Sequence, residues 1–441
     1  MTRTLLLGAA SAAALLSLST ASFAAKPPIL GGGSTLAQFD YIDEFGVFNA
    51  NKPKATFSTY WEAGSGAGQA SFIKDDLTCD IDAVTGANGG ACAGPAGGQG
   101  NTVDYGASDA VLSSAQISSW ATSSFGQSAA GDLIQLPSMG VGVSVPVVNS
   151  KVTKDGQLTL SDNDLCGIFS GLLTDFSQIT DTGASLSGKF NVAYRSDGSG
   201  TSFITTTHLS AVCTAGNTAP GITFTATTTF ASLFPNSTPP ATFVGEKGSG
   251  GVASYLAGCL GTVSNAMGYL SPDFTQVDPN SDATINCNGS TEKSPLVVAN
   301  LLTGTTANLP TVKLITTALT HVKEGSNSTP PSTQAEAQNP SDWVPIVNTV
   351  SEGYALVGYT TFDFAQCYAS GKISKAVQQF LKDHFKNATY ESYINKNGFV
   401  TLKNTKANTF LTAIEDDILA NKNGFNTDIG NTTVCKGLAG R

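Results

Sequence analysis

With 441 residues, 47 of them glycine and only 13% charged, the chain is long enough for two domains of roughly 100–200 residues each. A formal charge of −10 and the lack of any basic run exclude nucleic acid and anionic membrane as natural partners. An anion held by such a chain must be held by local dipoles and donors, not by a global positive field.

Residues 1–24 read as a secretory signal. Thr2-Arg3 is the charged start, Leu5 to Leu18 is apolar, and Ser22-Phe23-Ala24 is a small-x-small cleavage site. The apolar run is too short for a membrane anchor and no second candidate follows, so no membrane insertion is expected. Cleavage near Ala24 removes Arg3 and leaves 22 basic against 33 acidic residues, a charge of −11, on a periplasmic or secreted protein.

Ile29-Leu30 leads into Gly31-Gly32-Gly33-Ser34-Thr35-Leu36 and a helical pattern through Phe39, Ile42, Phe45 and Phe48. This is strand, glycine-rich turn and helix start, without the G-K-[ST] ending of a nucleotide loop. A second strand, Thr56 to Trp61, runs into Glu62-Ala63-Gly64-Ser65-Gly66-Ala67-Gly68 and a helix. The glycine-rich stretch from Thr78 to Asn101 reads as an irregular insertion. Val103 to Leu112 is another strand tip, with Asp109 placed as an ordinary helix N-cap. Leu133 to Pro137 and Val141 to Val148 are strands. Four successive βα units predict a lobe with a largely parallel sheet and ligand loops at the strands' carboxyl ends.

Phe190, Val192 and Tyr194 alternate as a strand, the chain turns on Asp197-Gly198, and Ser199-Gly200-Thr201 opens a helix. Unpaired N–H groups, hydroxyls and the permanent cation Arg195 suit a small oxyanion. The plainer alternative is a capped turn with an exposed arginine. Residues 214–242 are rich in Thr, Ser and Pro, with strand-like alternation from Ile222 to Phe230. Gly245 to Gly251 reads as a simple start to the helix Val252–Leu256. Ala266 to Leu270 is a strand, 275–295 and 322–342 are polar surface loops, and Tyr354 to Phe364 is a strand. Two amphipathic helices end the chain, one through Ile373, Val377, Phe380, Leu381 and Phe385, the other through Phe410, Leu411, Ile414, Ile418 and Leu419.

The eight cysteines lack C-x-x-C spacing and the three histidines are scattered, so disulfides are expected and no metal or cofactor. On the order of a hundred pairings are open. Nearest neighbours give Cys79–Cys92, Cys166–Cys213, Cys259–Cys287 and Cys367–Cys435.

Four motifs in this order, Gly-Gly-Gly-Ser-Thr-Leu (31–36), Gly-Ser-Gly-Ala-Gly (64–68), Gly-Ala-Ser-Asp-Ala (106–110) and Tyr-Arg-Ser-Asp-Gly-Ser-Gly-Thr-Ser (194–202), resemble the periplasmic phosphate-binding proteins of ABC transporters. A narrower resemblance is to the DING branch. It is carried by Ile29–Leu36, Leu165–Gly171, Ser271–Phe274, Asp342–Pro345, Gln366–Tyr368 and Asn431–Cys435, although Pro28-Ile29-Leu30-Gly31 replaces Asp-Ile-Asn-Gly. The resemblance implies the pairs Cys166–Cys213 and Cys367–Cys435; the other two pairs rest on proximity alone.

It also implies an α/β fold, the two-lobed periplasmic binding protein of type II, with extra loops and a ligand cleft between lobes. Lobe 1 is placed at about 26–147 plus 357–441 and lobe 2 at about 148–356. By motif match, inorganic phosphate would be held by Ser34, Thr35, Leu36, Ser65, Asp109, Arg195, Ser199, Gly200 and Thr201, with Asp197 orienting Arg195. The leading expectation is a monomer that binds phosphate tightly for uptake, with a transporter permease as partner. A carboxylate such as Asp109 tolerates an anion only if the ligand brings a proton.

The alternative is a DING-like secreted alkaline phosphatase of low activity. Monoester hydrolysis needs large rate acceleration, usually from metals or an activated nucleophile. Neither G-x-S-x-G nor a histidine-rich cluster is present, and Ser65 and Ser199 lack an identifiable base in the sequence. A surface adhesin is a third reading, supported only by the extra loops and disulfides.

Overall fold

The computed structural model describes residues 26–81, 89–92, 102–179, 186–275, 277 and 283–441. The signal segment and most of the Thr78–Asn101 insertion lie outside the described residues.

Two five-stranded sheets, one in each lobe, organise the chain. The first has the spatial order 400–401, 133–142, 357–365, 105–108, 31–33. The second has the order 297–298, 146–149, 265–268, 191–195, 243–246. The expected largely parallel sheet is not what forms. In the first sheet only Gly31–Gly33 and Tyr105–Ser108 run parallel, and the remaining pairs are antiparallel. In the second, two pairs are parallel and two antiparallel.

The reason lies in the long strands Leu133–Gly142 and Val357–Ala365, which pair antiparallel down the middle of the first sheet. Both continue towards the second sheet: Val143 N–H bonds Leu356 O at 2.9 Å, and Ser144 N–H bonds Leu270 O at 2.8 Å. Strands that cross between lobes cannot also serve as βα units, so they break the parallel pattern. Pro137 does not end its strand as expected, because the register shifts between Tyr359 and Thr361, opposite it. All ten residues of Leu133–Gly142 are buried, so both sheet faces are covered.

Five helices carry or brace the loops between the lobes: α1 (Gln38–Ala50), α2 (Ser65–Lys74), α3 (Gly200–Val212), α4 (Gly248–Leu256) and α5 (Gly371–Lys386). Helices α1 and α5 share an aromatic core in which Phe45 stacks on Phe57 at 4.0 Å and meets Phe380 at 5.3 Å. Burying each such ring contributes about 1.5–3 kcal/mol. Phe45 and Phe48 of the predicted apolar face of α1 are buried, but Ile42 is 47% exposed while Asp40 and Glu44 are fully buried. A distant partner accounts for Glu44. His384 of α5 meets Glu44 through Nδ1 at 2.8 Å and Ser138 Oγ through Nε2 at 3.0 Å.

Three further expectations are corrected. Residues 222–230 form no strand; Ile222, Phe224 and Phe230 instead anchor a loop to the core. The polar stretches contain paired backbone: Thr284–Cys287 with Ser290–Lys293, and Val322–Ser326 with Ile346–Val350. The Thr56–Trp61 strand shrinks to Thr56–Phe57 plus a single bridge from Trp61 to Gly32. Disulfides join Cys79–Cys92, Cys166–Cys213, Cys259–Cys287 and Cys367–Cys435. Cys213 ends α3, so its bridge fixes the far end of the helix that begins at Gly200.

Candidate anion-binding site

The N-termini of α2, α3 and α4 and the Ser34–Ala37 turn that leads into α1 meet where the two lobes face each other. Each follows a strand or extended segment that ends in small residues, and each presents N–H groups with no partner inside its helix. Ser34, Thr35, Leu36, Ser65, Asp109, Arg195, Ser199 and Thr201 are all nearly inaccessible.

On the first lobe the centre is Asp109. Ser34 Oγ donates to its Oδ1 at 2.7 Å and Oδ2 at 2.8 Å, and Ser65 Oγ donates to Oδ2 at 3.0 Å. Leu36 N–H and Ala37 N–H reach Ser34 Oγ at 3.1 and 3.3 Å, while Asp109 N–H reaches Ser65 Oγ at 3.2 Å. Asp109 therefore sits among the donors expected for an anion, and it is not the helix N-cap expected from its sequence position, because the next helix starts at Ser114 and is capped by Ser113. Burial pushes its carboxyl up to about 6, against the lowering by Ser34, Ser65 and Arg195. The same contacts give Ser65 a carboxylate acceptor, which the sequence alone does not reveal.

On the second lobe the centre is Arg195. Its Nε donates to Asp197 Oδ1 at 2.7 Å and its Nη2 to Oδ2 at 2.5 Å, a two-pronged grip that fixes the guanidinium plane. Burial alone would raise Asp197, but the charge and hydrogen bonds of Arg195 and Gly248 N–H outweigh it and hold the carboxyl low. Arg195 N–H bonds Tyr269 OH at 3.0 Å, and that hydroxyl pairs with Ser202 Oγ at 2.7 Å. Ser199 Oγ caps α3 by accepting Ser202 N–H at 3.2 Å. Thr201 Oγ1 is buried with no hydrogen-bond partner.

The lobes touch through their smallest residues. Gly66 N–H bonds Gly198 O at 2.8 Å. Any side chain at Gly200 would overlap the Asp109 carboxylate, and one at Gly64 (φ 98°) would overlap Asp197 Oδ2. Glycine is required at both points by close approach.

The sequence reading missed Ser249, the second residue of α4, along with Tyr269. Ser249 Oγ lies 3.0 Å from Thr35 Oγ1 and accepts Arg195 Nη1 at 3.3 Å. The Gly245–Gly251 stretch is thus part of the constellation and more than a helix start. Its repeat of the small-residue turn was the available signal. Chemically the site offers helix ends, hydroxyls, one fixed cation and one carboxylate, a set suited to a small oxyanion that carries a proton. Among the described residues no group of three His, Cys, Asp or Glu is placed to hold a metal, and no helix is long and apolar enough to cross a membrane.

The sequence matches the family described as PBP superfamily domain over residues 19–382. It is 31% identical over 450 residues to alkaline phosphatase L of Pseudomonas aeruginosa (strain UCBPP-PA14), covering 99% of this chain and 98% of that one. It is 30% identical over 421 residues to a phosphate-binding protein of an unknown prokaryotic organism, covering 93% and 98%. Among solved structures, a high affinity periplasmic phosphate-binding protein (PfluDING) bound with phosphate superposes with a TM-score of 0.73 at 30% identity, covering 94% of this chain and 99% of that chain. The chain belongs to the PBP superfamily, in its DING-like branch of phosphate-binding proteins.

Proposed function

We propose that this protein binds inorganic phosphate between its lobes and serves phosphate uptake outside the cytoplasm, delivering its ligand to a transporter permease. The observation that carries this reading is that a buried carboxylate held by Ser34 and Ser65, Asp109, and a buried cation held by Asp197, Arg195, face the same set of converging helix N-termini. Near neutral pH phosphate carries both a negative charge for Arg195 and a proton for Asp109. Thr35, Ser199, Gly200 N–H and Thr201 supply further donors, and Ser34, Leu36 N–H and Ser65 join them by turning from their contacts around Asp109 to the ligand. The unpartnered Thr201 hydroxyl supports its place in that set. Lobe 1 comprises about 26–147 plus 357–441 and lobe 2 about 148–356, a division supported by which strands enter which sheet.

Native mass spectrometry and calorimetry on the purified protein test the reading. One tightly bound phosphate per chain, with sulfate failing to compete, is the expected result; no saturable uptake of phosphate would end it.

The name of the Pseudomonas relative favours phosphatase activity as a second reading, and Asp109 is an acceptor for the Ser65 hydroxyl. Against it, Asp109 is shared by Ser34 and Ser65, both are enclosed, and a binder of free phosphate needs no path for an alcohol leaving group. Turnover of a phosphate monoester that disappears in Ser65→Ala would establish the enzyme instead.

A further inference from the structure

We propose that Ser249 is the latch that couples closure of the two lobes to the seating of Arg195, and so sets how slowly the ligand leaves. This rests on the reading of the protein as a phosphate binder and assigns a residue that the family's motifs do not include.

Several hydrogen bonds join the lobes. Gly66 N–H reaches Gly198 O at 2.8 Å, and Ser271 Oγ reaches Leu36 O at 2.7 Å. Neither involves a charged group. Ser249 differs: among the described residues it is the one side chain hydrogen-bonded both to the guanidinium of Arg195 and to a residue of the first lobe, Thr35. Its backbone joins in, since Ser249 N–H donates to Thr35 Oγ1 at 3.0 Å. Its neighbour Gly248 donates N–H to Asp197 Oδ1 at 3.0 Å, tying the same turn to the carboxylate that grips Arg195. The residue before, Lys247, reaches Gly89 O of the first lobe at 2.7 Å. The first turn of α4 therefore touches both partners of the Arg195–Asp197 pair and the opposite lobe at once.

Proton bookkeeping shows why the latch faces an anion. Thr35 and Ser249 have one hydroxyl hydrogen each, and one hydrogen bond joins their oxygens. Ser249 Oγ already accepts from Arg195, and Thr35 Oγ1 already accepts from Ser249 N–H. Whichever hydroxyl donates to the other, one hydrogen remains to point at an acceptor. In the closed protein that acceptor is an oxygen of the ligand. When the lobes part, the Thr35 contacts break, while Ser249 stays with Arg195 on the second lobe. Encounter with phosphate occurs in the open form, so the latch acts on departure and leaves arrival alone.

The test uses the full chain, radiolabelled inorganic phosphate and an unlabelled chase, with association followed separately by rapid mixing. Ser249→Ala is expected to release phosphate about tenfold faster, the factor one hydrogen bond of ordinary net strength supplies. Its association rate should match the wild type, and any drop in its phosphate-free melting temperature should be repaired by Ser249→Thr, which a merely packing role would not allow. Ser249→Thr, which keeps the hydroxyl, should restore slow release. A wild type that captures phosphate while Ser249→Ala releases it at the wild-type rate overturns the latch alone. Slower association, or a lower phosphate-free melting temperature that Ser249→Thr does not repair, overturns it in favour of a packing role. A wild type that captures no phosphate overturns the phosphate reading, and the latch with it.

Discussion

The wall of the cleft built on the first sheet and the wall built on the second use the same local device, a strand or extended segment ending in small residues before a helix. They differ in what the device surrounds. On the first wall it surrounds a carboxylate, Asp109, touched by two hydroxyls and raised by burial to about 6. On the second it surrounds a cation, Arg195, already paired with Asp197, whose carboxyl is held low. Asp109, Arg195 and Asp197 therefore sum to one negative charge when ionised. A site of that sign attracts an anion only through its oriented N–H groups and hydroxyls, and it favours a ligand that brings its own proton.

Arg195→Lys tests the cationic wall and should have the largest effect. An ammonium group cannot span both oxygens of Asp197 and also reach Ser249, so phosphate affinity should fall by about 4 kcal/mol, roughly a thousandfold. Calorimetry giving wild-type affinity in a folded variant would remove Arg195 from the site.

Asp109→Asn tests the other wall. Because the folded carboxyl titrates about 6 and the unfolded one near 3.8, the folded state holds its proton longer as pH rises. Stability of the ligand-free protein should therefore decline between about pH 4 and 6, and the asparagine variant should lack that part of the decline, worth up to about 3 kcal/mol. Urea unfolding across that range, in phosphate-free buffer, reads the difference. The same variant should lose phosphate affinity modestly and narrow the gap to sulfate, since an amide can donate to a deprotonated oxygen. Unchanged selectivity would reduce Asp109 to a structural anchor for Ser34 and Ser65. Smallest is Ser65→Ala, which removes one of two hydroxyls from Asp109 and should weaken binding by about 1 kcal/mol, roughly fivefold, in the same calorimetric assay.

The parts of this site that could be read from the sequence are those whose chemistry is local. Ser34-Thr35-Leu36, Ser65, Asp109 and Arg195 each sit in a short motif whose residue types already imply a turn, a helix start and a donor or charge. Ser249 sits in Gly-Ser-Gly-Gly, which any helix start could carry, and its role exists only because Thr35, 214 residues away, meets it. The same distance problem hides the polar half of the buried face of α1. Its apolar spacing points to Ile42, but Glu44 is buried by His384, 340 residues on. The antiparallel centre of the first sheet was hidden for a related reason, since a strand's direction belongs to the partner it meets and not to its own residues.

That centre has a consequence for the order in which the protein can be assembled. Val357–Ala365 lies between Leu133–Gly142 and Tyr105–Ser108 in the sheet, and the whole second sheet, from Pro146 to Val298, separates it from both in the chain. As the polypeptide emerges, the second sheet has all its strands once Val298 is made. The first sheet then still lacks its middle strand, and the aromatic cluster of Phe45, Phe57 and Tyr105 still lacks Phe362 and Phe380. Contacts across so many residues are slow to form and are settled late. The arginine wall is therefore complete before the carboxylate wall is anchored.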